Sequence, residues 1–215
     1  LPILSNVLLQ LKDNKLSIVA TDLDIVFYDE INEVKILKEG STTTSAAILY
    51  DILRKISSDS ELNFDLKTEN KLSLKSDNSD FNLLCLPTDN FPTFSDEFEG
   101  KEILLNNSRF LKLLNKTKIA ISNDDTRHYL NGIFLHLSEA HGRNFLTGVA
   151  TDSHRLSSCS LELDNAENFS SIILPRKTVF QLCSLLTETS EKLSMQISDN
   201  KIQFNLGNMK LISKV

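Results

Sequence analysis

The chain is poor in the residues that build several familiar sites: it has no tryptophan, three cysteines, four histidines, four prolines and six glycines in 215 residues. So little glycine excludes a glycine-rich phosphate loop or a dinucleotide fold, whose backbones need several glycines close together. Cys85, Cys159 and Cys183 are odd in number, widely spaced and set in apolar stretches, which excludes a disulfide framework. They read as core-packing thiols of a reducing, cytoplasmic compartment, and no Cys-x-x-Cys or nearby histidine supports a nucleophile or a metal ligand. No apolar run approaches the ~18 residues that cross a bilayer, so no membrane partner is expected. The opening Leu1-Pro2-Ile3-Leu4 has no initiator methionine, basic leader or cleavage site. It reads as a chain whose beginning is missing, not as a signal peptide.

What is present is enough leucine, isoleucine and phenylalanine to bury a core, which argues against disorder. At roughly 100–150 residues per domain the length suits one large or two modest domains. An internal repeat decides between them. Leu4-Ser5-Asn6-Val7-Leu8-Leu9-Gln10-Leu11 resembles Leu130-Asn131-Gly132-Ile133-Phe134-Leu135-His136-Leu137 at an offset of 126, and Val19-Ala20-Thr21-Asp22 returns letter for letter as Val149-Ala150-Thr151-Asp152 at 130. Ile48–Leu53 matches Thr178–Cys183 in pattern, and Asn70-Lys71-Leu72 matches Asn200-Lys201-Ile202, both again at 130. Matches in one order at nearly one offset mark a duplicated unit.

Each unit reads as an α+β arrangement. Strands over 7–11 and 16–21, or 133–137 and 145–151, lead through extended segments to an amphipathic helix over 46–56 or 176–186. Three alternating strands follow, at 62–66, 72–74 and 81–86 or at 193–197, 202–206 and 209–212. Period-two alternation and turns such as Ser198-Asp199-Asn200 and Gly207-Asn208 imply antiparallel sheet with one buried face. The acidic, proline-punctuated stretch 87–100 reads as a linker, giving domains 1–94 and 95–215. Beyond it Ser108 caps a helix through about Ile121, with Phe110, Leu113, Leu114 and Ile121 on one face. The first unit has no counterpart to this helix, so about 25 residues are expected to be missing upstream.

The formal charge is −6, but it is unevenly spread. The three predicted helices hold Arg54, Lys55, Arg109, Lys112, Lys116, Lys118, Arg176 and Lys177 against Asp51 alone. The rest of the chain is left with 15 basic and 28 acidic residues. Arg109, Lys112 and Lys116 share a stripe opposite Phe110, Leu113 and Leu114. A solvated helix exterior explains one such stripe; basic helices in an otherwise acidic chain fit sequence-independent contact with nucleic acid.

Reactive chemistry finds little support. Thr151-Asp152-Ser153-His154-Arg155 contains the residue types of a hydrolase triad, but triad members converge from different elements, and neighbours on an extended segment face opposite ways. No Gly-x-Ser-x-Gly elbow is present. His136 and His141 flank Glu139 at a spacing that fits neither a helical histidine pair nor a zinc site, and Ser138–Arg143 reads as a hairpin turn. No catalytic residue, metal site or cofactor is expected.

Val149-Ala150-Thr151-Asp152-Ser153-His154-Arg155-Leu156, preceded by Arg127-His128-Tyr129-Leu130-Asn131-Gly132 and followed by Leu174-Pro175-Arg176-Lys177, resembles the bacterial sliding clamp family, the beta subunit of DNA polymerase III. Leu1–Asn6 and Leu86-Pro87…Asn90-Phe91-Pro92 fit the same family in the first unit. The resemblance implies a DNA-clamp fold of tandem domains, sheets outside and helices lining a ring. This chain would be most of domain one and most of domain two, with domain three absent. It implies a non-catalytic processivity factor: a homodimeric ring, when full length, around double-stranded DNA. Its implied partners are the DNA polymerase III alpha subunit, the clamp loader and other clamp-motif proteins. Carried over residue by residue, Leu130, Thr151, Ser153, His154, Arg155 and Leu156 form one wall of a partner-peptide pocket. By the same resemblance His128, Tyr129, Arg176 and Lys177 are expected to face DNA, to which the charge pattern adds Arg109, Lys112 and Lys116, and Phe81 and Leu83 are expected on an edge strand at the dimer interface. The chain departs from the family at Ser153, commonly glycine, and at Asp124, where a neutral residue is expected. Three alternatives remain beside this reading: Leu130 and Leu156 as plain core, a non-topological nucleic-acid-binding module, and a hydrolase at Asp152-Ser153-His154.

Overall fold

The computed structural model describes residues 2–77, 79–92, 98, 102–163, 170–186, 192–198 and 200–215. The chain divides into two compact units, Leu1–Ser95 with Asn208–Lys210 and Asp96–Gly207 with Leu211–Val215. In the first, β1 (Asn6–Lys12), β2 (Lys15–Thr21), β3 (Ile25–Ile31) and β4 (Gly40–Ser45) precede α1 (Ala46–Leu53), and β5 (Asn63–Thr68), β6 (Lys71–Ser76) and β7 (Ser79–Leu86) follow. The second unit opens with β8 (Glu102–Asn106) and α2 (Asn107–Thr117). It continues through β9 (Gly132–Ala140), β10 (Arg143–Thr151), β11 (Leu156–Leu163), β12 (Ile172–Pro175), α3 (Arg176–Leu185), β13 (Lys192–Ile197), β14 (Lys201–Leu206) and β15 (Met209–Lys214).

The repeat is visible in the pairing. The first unit orders its strands β5-β6-β7-β4-β1-β2-β3, and the second has β11-β10-β9-β12 beside β15-β14-β13-β8. Thus β3-β2-β1-β4 and β11-β10-β9-β12 are one antiparallel arrangement made twice. Its first hairpin turns on two residues of positive φ in each copy, Asp13 and Asn14 at 50° and 59°, His141 and Gly142 at 53° and 71°. Such turns match the right-handed twist of the flanking strands. The turn therefore occupies only 141–142, and the strands run closer to it than the sequence suggests. The centre of the expected turn at Ser198-Asp199-Asn200 lies outside the described residues, as does half of the linker. Within the linker's described part, a 3-10 turn at Thr88–Asn90 leads to buried Phe91.

The first unit's core gathers Val7 and Leu9 of β1, Leu49 of α1, Leu72 and Leu74 of β6 and Leu83 and Cys85 of β7, with Phe64 and Phe81 packed against it. In the second, α2 and α3 pack on each other and on the β11-β10-β9-β12 sheet. Phe110, Leu113 and Leu114 of α2 are fully buried, and Phe110 stacks on Phe204 of β14 with ring centroids 5.8 Å apart. Two glycines make close approaches possible. A Cβ at Gly148 would stand 2.6 Å from Leu113 Cδ2, and one at Gly132 would run into the Leu174 carbonyl across the β9–β12 pair.

Several boundaries differ from expectation for local reasons. Asn106, not Ser108, caps α2: it is the last extended residue of β8, and its side-chain oxygen accepts the Arg109 amide at 3.0 Å. The helix ends at Thr117 and tightens into a 3-10 turn over Lys118–Ala120, so Ile121 is buried from beyond the helix. Helix α1 stops at Leu53, leaving Arg54 as its C-cap and Lys55 past its end. That removes its positive character, because α1 itself holds only Asp51, paired with Arg54 at 3.2 Å. Basic helices are thus a property of the second unit. Cys85 is buried, but Cys159 and Cys183 are only half-buried, so one of the three thiols is a true core residue. Among the described residues no helix is long and apolar enough to cross a membrane.

The two faces of α2 should respond oppositely to truncation. Leu113→Ala is expected to lower stability by about 2–5 kcal/mol, as buried leucines do, whereas Lys112→Ala on the exposed face should stay within about 0.5 kcal/mol of the parent. Urea unfolding of both variants measures this, and equal effects would contradict the division of faces.

Candidate nucleic-acid and partner surfaces

Helix α2 leaves Arg109, Lys112 and Lys116 exposed, and none of the three is in an ion pair among the described residues. Acidic neighbours would cancel this row; it is left charged. At the start of the neighbouring α3, Lys177 is exposed and Arg176 half-buried. The Arg176 amide donates to the Asn131 carbonyl at 3.0 Å, and its guanidinium reaches Asn123 Oδ1. The same guanidinium lies 5.1 Å from the centre of the Phe180 ring. His128 and Tyr129 are exposed on a 3-10 turn, His128–Leu130.

The loop before that turn is organised by Asp124. Its Oδ1 accepts the Thr126 hydroxyl at 2.6 Å and amide at 3.0 Å, and its Oδ2 accepts Arg127 Nε at 2.8 Å. These donors hold the Asp124 carboxyl below its ordinary 3.8, the Thr126 hydroxyl contributing most. The departure from a neutral residue at position 124 thus builds the loop's internal frame. Arg127 also donates from Nη1 to Ser153 Oγ at 2.7 Å, tying this loop to the Thr151–Arg155 turn.

That turn explains the letter-for-letter repeat. In the second unit Thr151 Oγ1 donates to the Arg155 carbonyl at 2.7 Å and accepts the Ser153 amide at 3.2 Å, while Asp152 Oδ1 accepts the His154 and Arg155 amides, both at 3.0 Å. In the first unit Thr21 Oγ1 donates to the Ile25 carbonyl at 2.8 Å and accepts the Leu23 amide at 3.0 Å. Asp22 Oδ1 there accepts the Asp24 and Ile25 amides at 3.1 and 2.9 Å. Leu23 and Ser153 occupy the same place with φ of 81° and 80°. This is backbone that glycine adopts more easily than serine or leucine, which accounts for the glycine common there in the resembling family. The two copies then diverge: Ile25 and Val26 are 8% and 4% exposed, whereas Arg155 is exposed and Leu156 is 67% exposed. Leu156 is therefore not core, and Leu130 is half-buried.

Of the expected pocket residues, Ser153, His154, Arg155 and Leu156 share the exposed side of one turn and strand start, and half-buried Thr151 is its fastener. A hydrolase is not assembled among them. Ser153 Oγ accepts from Arg127, and Asp152 is engaged by two amides and by Arg155 Nε at 2.9 Å. The Arg155 and His154 amides also hold the Asp152 carboxyl below its ordinary 3.8. His136 stacks on Phe134 with ring centroids 5.1 Å apart, well separated in the sheet from His141 at the hairpin tip. Burial raises the pKa of the half-buried Cys183 thiol, with Lys118 opposing, so it is a poor nucleophile.

Phe81 and Leu83 lie on the stretch of β7 that pairs with β6 alone, because β4 meets β7 only at Cys85 and Leu86, but the expected exposure does not hold for Leu83, which is 4% exposed in the unit's own core. Alternation turns Leu83 inward; Phe81, nearer the strand's start, reaches the surface at a groove of about 440 Å³ lined also by Ile48, Ile52 and Ile56. Sequence reading passed over Arg127, which it used only as part of a string. It also passed over Phe180, whose place four residues after Arg176 was the available signal.

Residues 1–95 match the family described as DNA polymerase III beta subunit, N-terminal domain, and residues 104–215 match its central domain. The beta sliding clamp of Caulobacter vibrioides (strain NA1000 / CB15N) is 35% identical over 217 residues, covering all of this chain and 58% of that protein. That of Escherichia coli (strain K12) is 34% identical over 215 residues, covering all of this chain and 57% of that protein. Among solved structures, Caulobacter crescentus pol III beta superposes with a TM-score of 0.93 at 34% identity, over all of this chain and 58% of that one. The Bartonella birtlesii sliding clamp bound to griselimycin superposes with a TM-score of 0.91 at 36%, over all of this chain and 57% of that one. The chain spans a little under three-fifths of the length of these relatives.

Two carboxyls with folded pKa values below 3.8 set a pH window. A carboxyl that binds protons less readily folded than unfolded stabilises above its unfolded pKa and ceases to do so as pH falls through its folded value. The His154, Arg155 and Thr126 amide resonances should therefore hold their positions above about pH 4 and shift only below it. An NMR titration tests this, and shifts centred near neutrality would contradict the assigned bonds.

Proposed function

The chain belongs to the family of the DNA polymerase III beta subunit, the bacterial sliding clamp, and from that membership we propose that it supplies two repeated domains, 1–94 and 95–215, of a ring that encircles duplex DNA. The observation that carries this reading is the row of Arg109, Lys112 and Lys116, exposed, without ion pairs among the described residues and backed by a fully buried apolar face, next to Arg176 and Lys177. Such a surface attracts phosphates and reads no bases, which suits a protein that must move along any sequence. His128 and Tyr129 extend it at the loop framed by Asp124. The ring is a cytoplasmic processivity device and performs no chemistry; it uses no cofactor, and its work is topological.

Leu130, Thr151, Ser153, His154, Arg155 and Leu156 form one wall of a pocket for a short peptide of the polymerase alpha subunit, the clamp loader and other clamp-motif proteins. Exposed Leu156 is the apolar anchor there, and the turn's own hydrogen bonds fix its position. Ring closure as a homodimer uses Phe81 and Leu83, on the stretch of β7 that pairs with β6 alone, beside the groove lined by Ile48, Ile52 and Ile56.

Full-length protein placed by a clamp loader with ATP on nicked circular DNA should be retained at moderate salt and lost on linearisation. Equal retention on both forms would replace the ring with ordinary phosphate binding. In the same protein His154→Ala with Leu156→Ala should weaken a clamp-motif peptide by at least about 30-fold with retention on circles intact. Unchanged peptide affinity would remove the pocket assignment.

A further inference from the structure

We propose that Arg127 couples the two surfaces of the second unit, so that duplex DNA held at His128 and Tyr129 tightens the binding of a partner peptide at Ser153–Leu156; this rests on the readings of both surfaces above. Arg127 is the residue from which the 3-10 turn His128–Leu130 starts. Its amide donates to the Asp124 carbonyl at 3.1 Å, and its carbonyl accepts the Leu130 amide at 2.9 Å. Its guanidinium spans two segments, Nε donating to Asp124 Oδ2 at 2.8 Å and Nη1 to Ser153 Oγ at 2.7 Å, 26 positions further on. One residue is thereby bonded to the loop before the DNA-side turn, to Leu130 and to the peptide-side turn.

The bonds of Thr151 and Asp152 set the internal shape of the peptide-side turn, and they recur at Thr21 and Asp22. Where that turn stands against the loop is a separate matter, and the Arg127 bond addresses it. Leu23, the twin of Ser153 at nearly the same φ, has no side-chain oxygen to receive such a bond. A Cβ at φ of 80° carries strain that glycine avoids, so what serine adds at this place is the acceptor. Arg127 has a closed state, on Ser153, and an open one, with Nη1 hydrated, because its side chain is 35% exposed. Asp124 decides which state DNA favours. Its carboxylate already neutralises Arg127 and repels an approaching phosphate, so DNA does not pull the guanidinium off Ser153. Duplex contact at His128 and Tyr129 instead pins the turn that Arg127 begins, which removes freedom from the open state and favours the closed one. A peptide then meets Ser153–Leu156 already held, and linkage requires that a bound peptide favour DNA by the same factor.

Fluorescence anisotropy of a labelled clamp-motif peptide on the full-length protein, without and with a saturating short duplex oligonucleotide, reads the coupling as a ratio of dissociation constants. The duplex should tighten the peptide about fivefold in the parent protein, and saturating peptide should tighten the duplex equally. Ser153→Gly, which suits the backbone and loses the acceptor, should bring the ratio to about one, whatever it does to the peptide affinity itself. Arg127→Lys keeps the charge and loses the fork, and it should do the same, with the double variant no different from either single change. A parent protein that binds both ligands with a ratio of about one overturns the coupling and leaves both surfaces standing. A peptide weakened by the duplex overturns its sign, and a parental ratio that persists in Ser153→Gly overturns the role of the Arg127 bond. A parent protein that binds no peptide or no duplex fails earlier, at the readings on which the coupling rests, and removes it with them.

Discussion

The Thr-Asp turn is the constraint on which the exposed surface from Ser153 to Leu156 depends. A threonine hydroxyl that closes onto the carbonyl four residues on, and a carboxylate that collects two successive amides, fix five residues with side chains that are themselves part of the turn. The geometry demands a residue of positive φ at the third place, and both copies accept the strain there with a non-glycine residue. Once the turn is set, β11 must begin at Leu156, and the first side chain of that strand is held in the open. In this unit the extra bond from Arg127 to Ser153 Oγ, which glycine could not accept, joins the turn to the loop that carries His128 and Tyr129.

The second unit's helix α2 solves a different problem, that of presenting charge from a thin layer. Arg109, Lys112 and Lys116 need no ion pair, and form none among the described residues, because Phe110, Leu113 and Leu114 anchor the helix from its core face, and Gly148 lets Leu113 sit against the sheet backbone. Fixing the helix through its core face frees the other face to be chosen for electrostatics. Helix α1 shows the contrast: it carries only Asp51, engaged by Arg54, and presents Ile48 and Tyr50 to solvent instead.

Much of this was legible in the sequence because period and repetition survive without coordinates. The duplicated strands, the amphipathic stripe of α2 and the Val-Ala-Thr-Asp string all follow from local chemistry, and each stands in the structure near where the pattern puts it. Errors arose where the deciding partner is distant or the terminus short. Asn106 outcompeted Ser108 as a cap because β8 delivers it in extended conformation, and α1 ended before its two cations. Leu83 has β6 as its one strand neighbour, but its side chain is core because alternation turns it onto the face that Val7, Leu49 and Leu72 cover, which strand position alone does not say. Arg127 acts through Ser153, a partner from another segment, which spacing along one chain does not display.

Duplication provides an internal control for assigning function to the turn. Both copies keep the threonine, the aspartate, the positive φ and the same set of bonds, so these belong to folding and carry no specificity. What differs is chemistry on the same backbone: acidic Asp24 is replaced by His154, buried Ile25 by exposed Arg155, and buried Val26 by exposed Leu156. A leucine open to solvent where its twin position is buried, flanked by a cation and a histidine, is suited to an apolar segment with polar or acidic neighbours. The proposed recognition surface therefore rests on residues at which the second copy departs from the first, His154, Arg155 and Leu156 among them, mounted on a turn that both copies share.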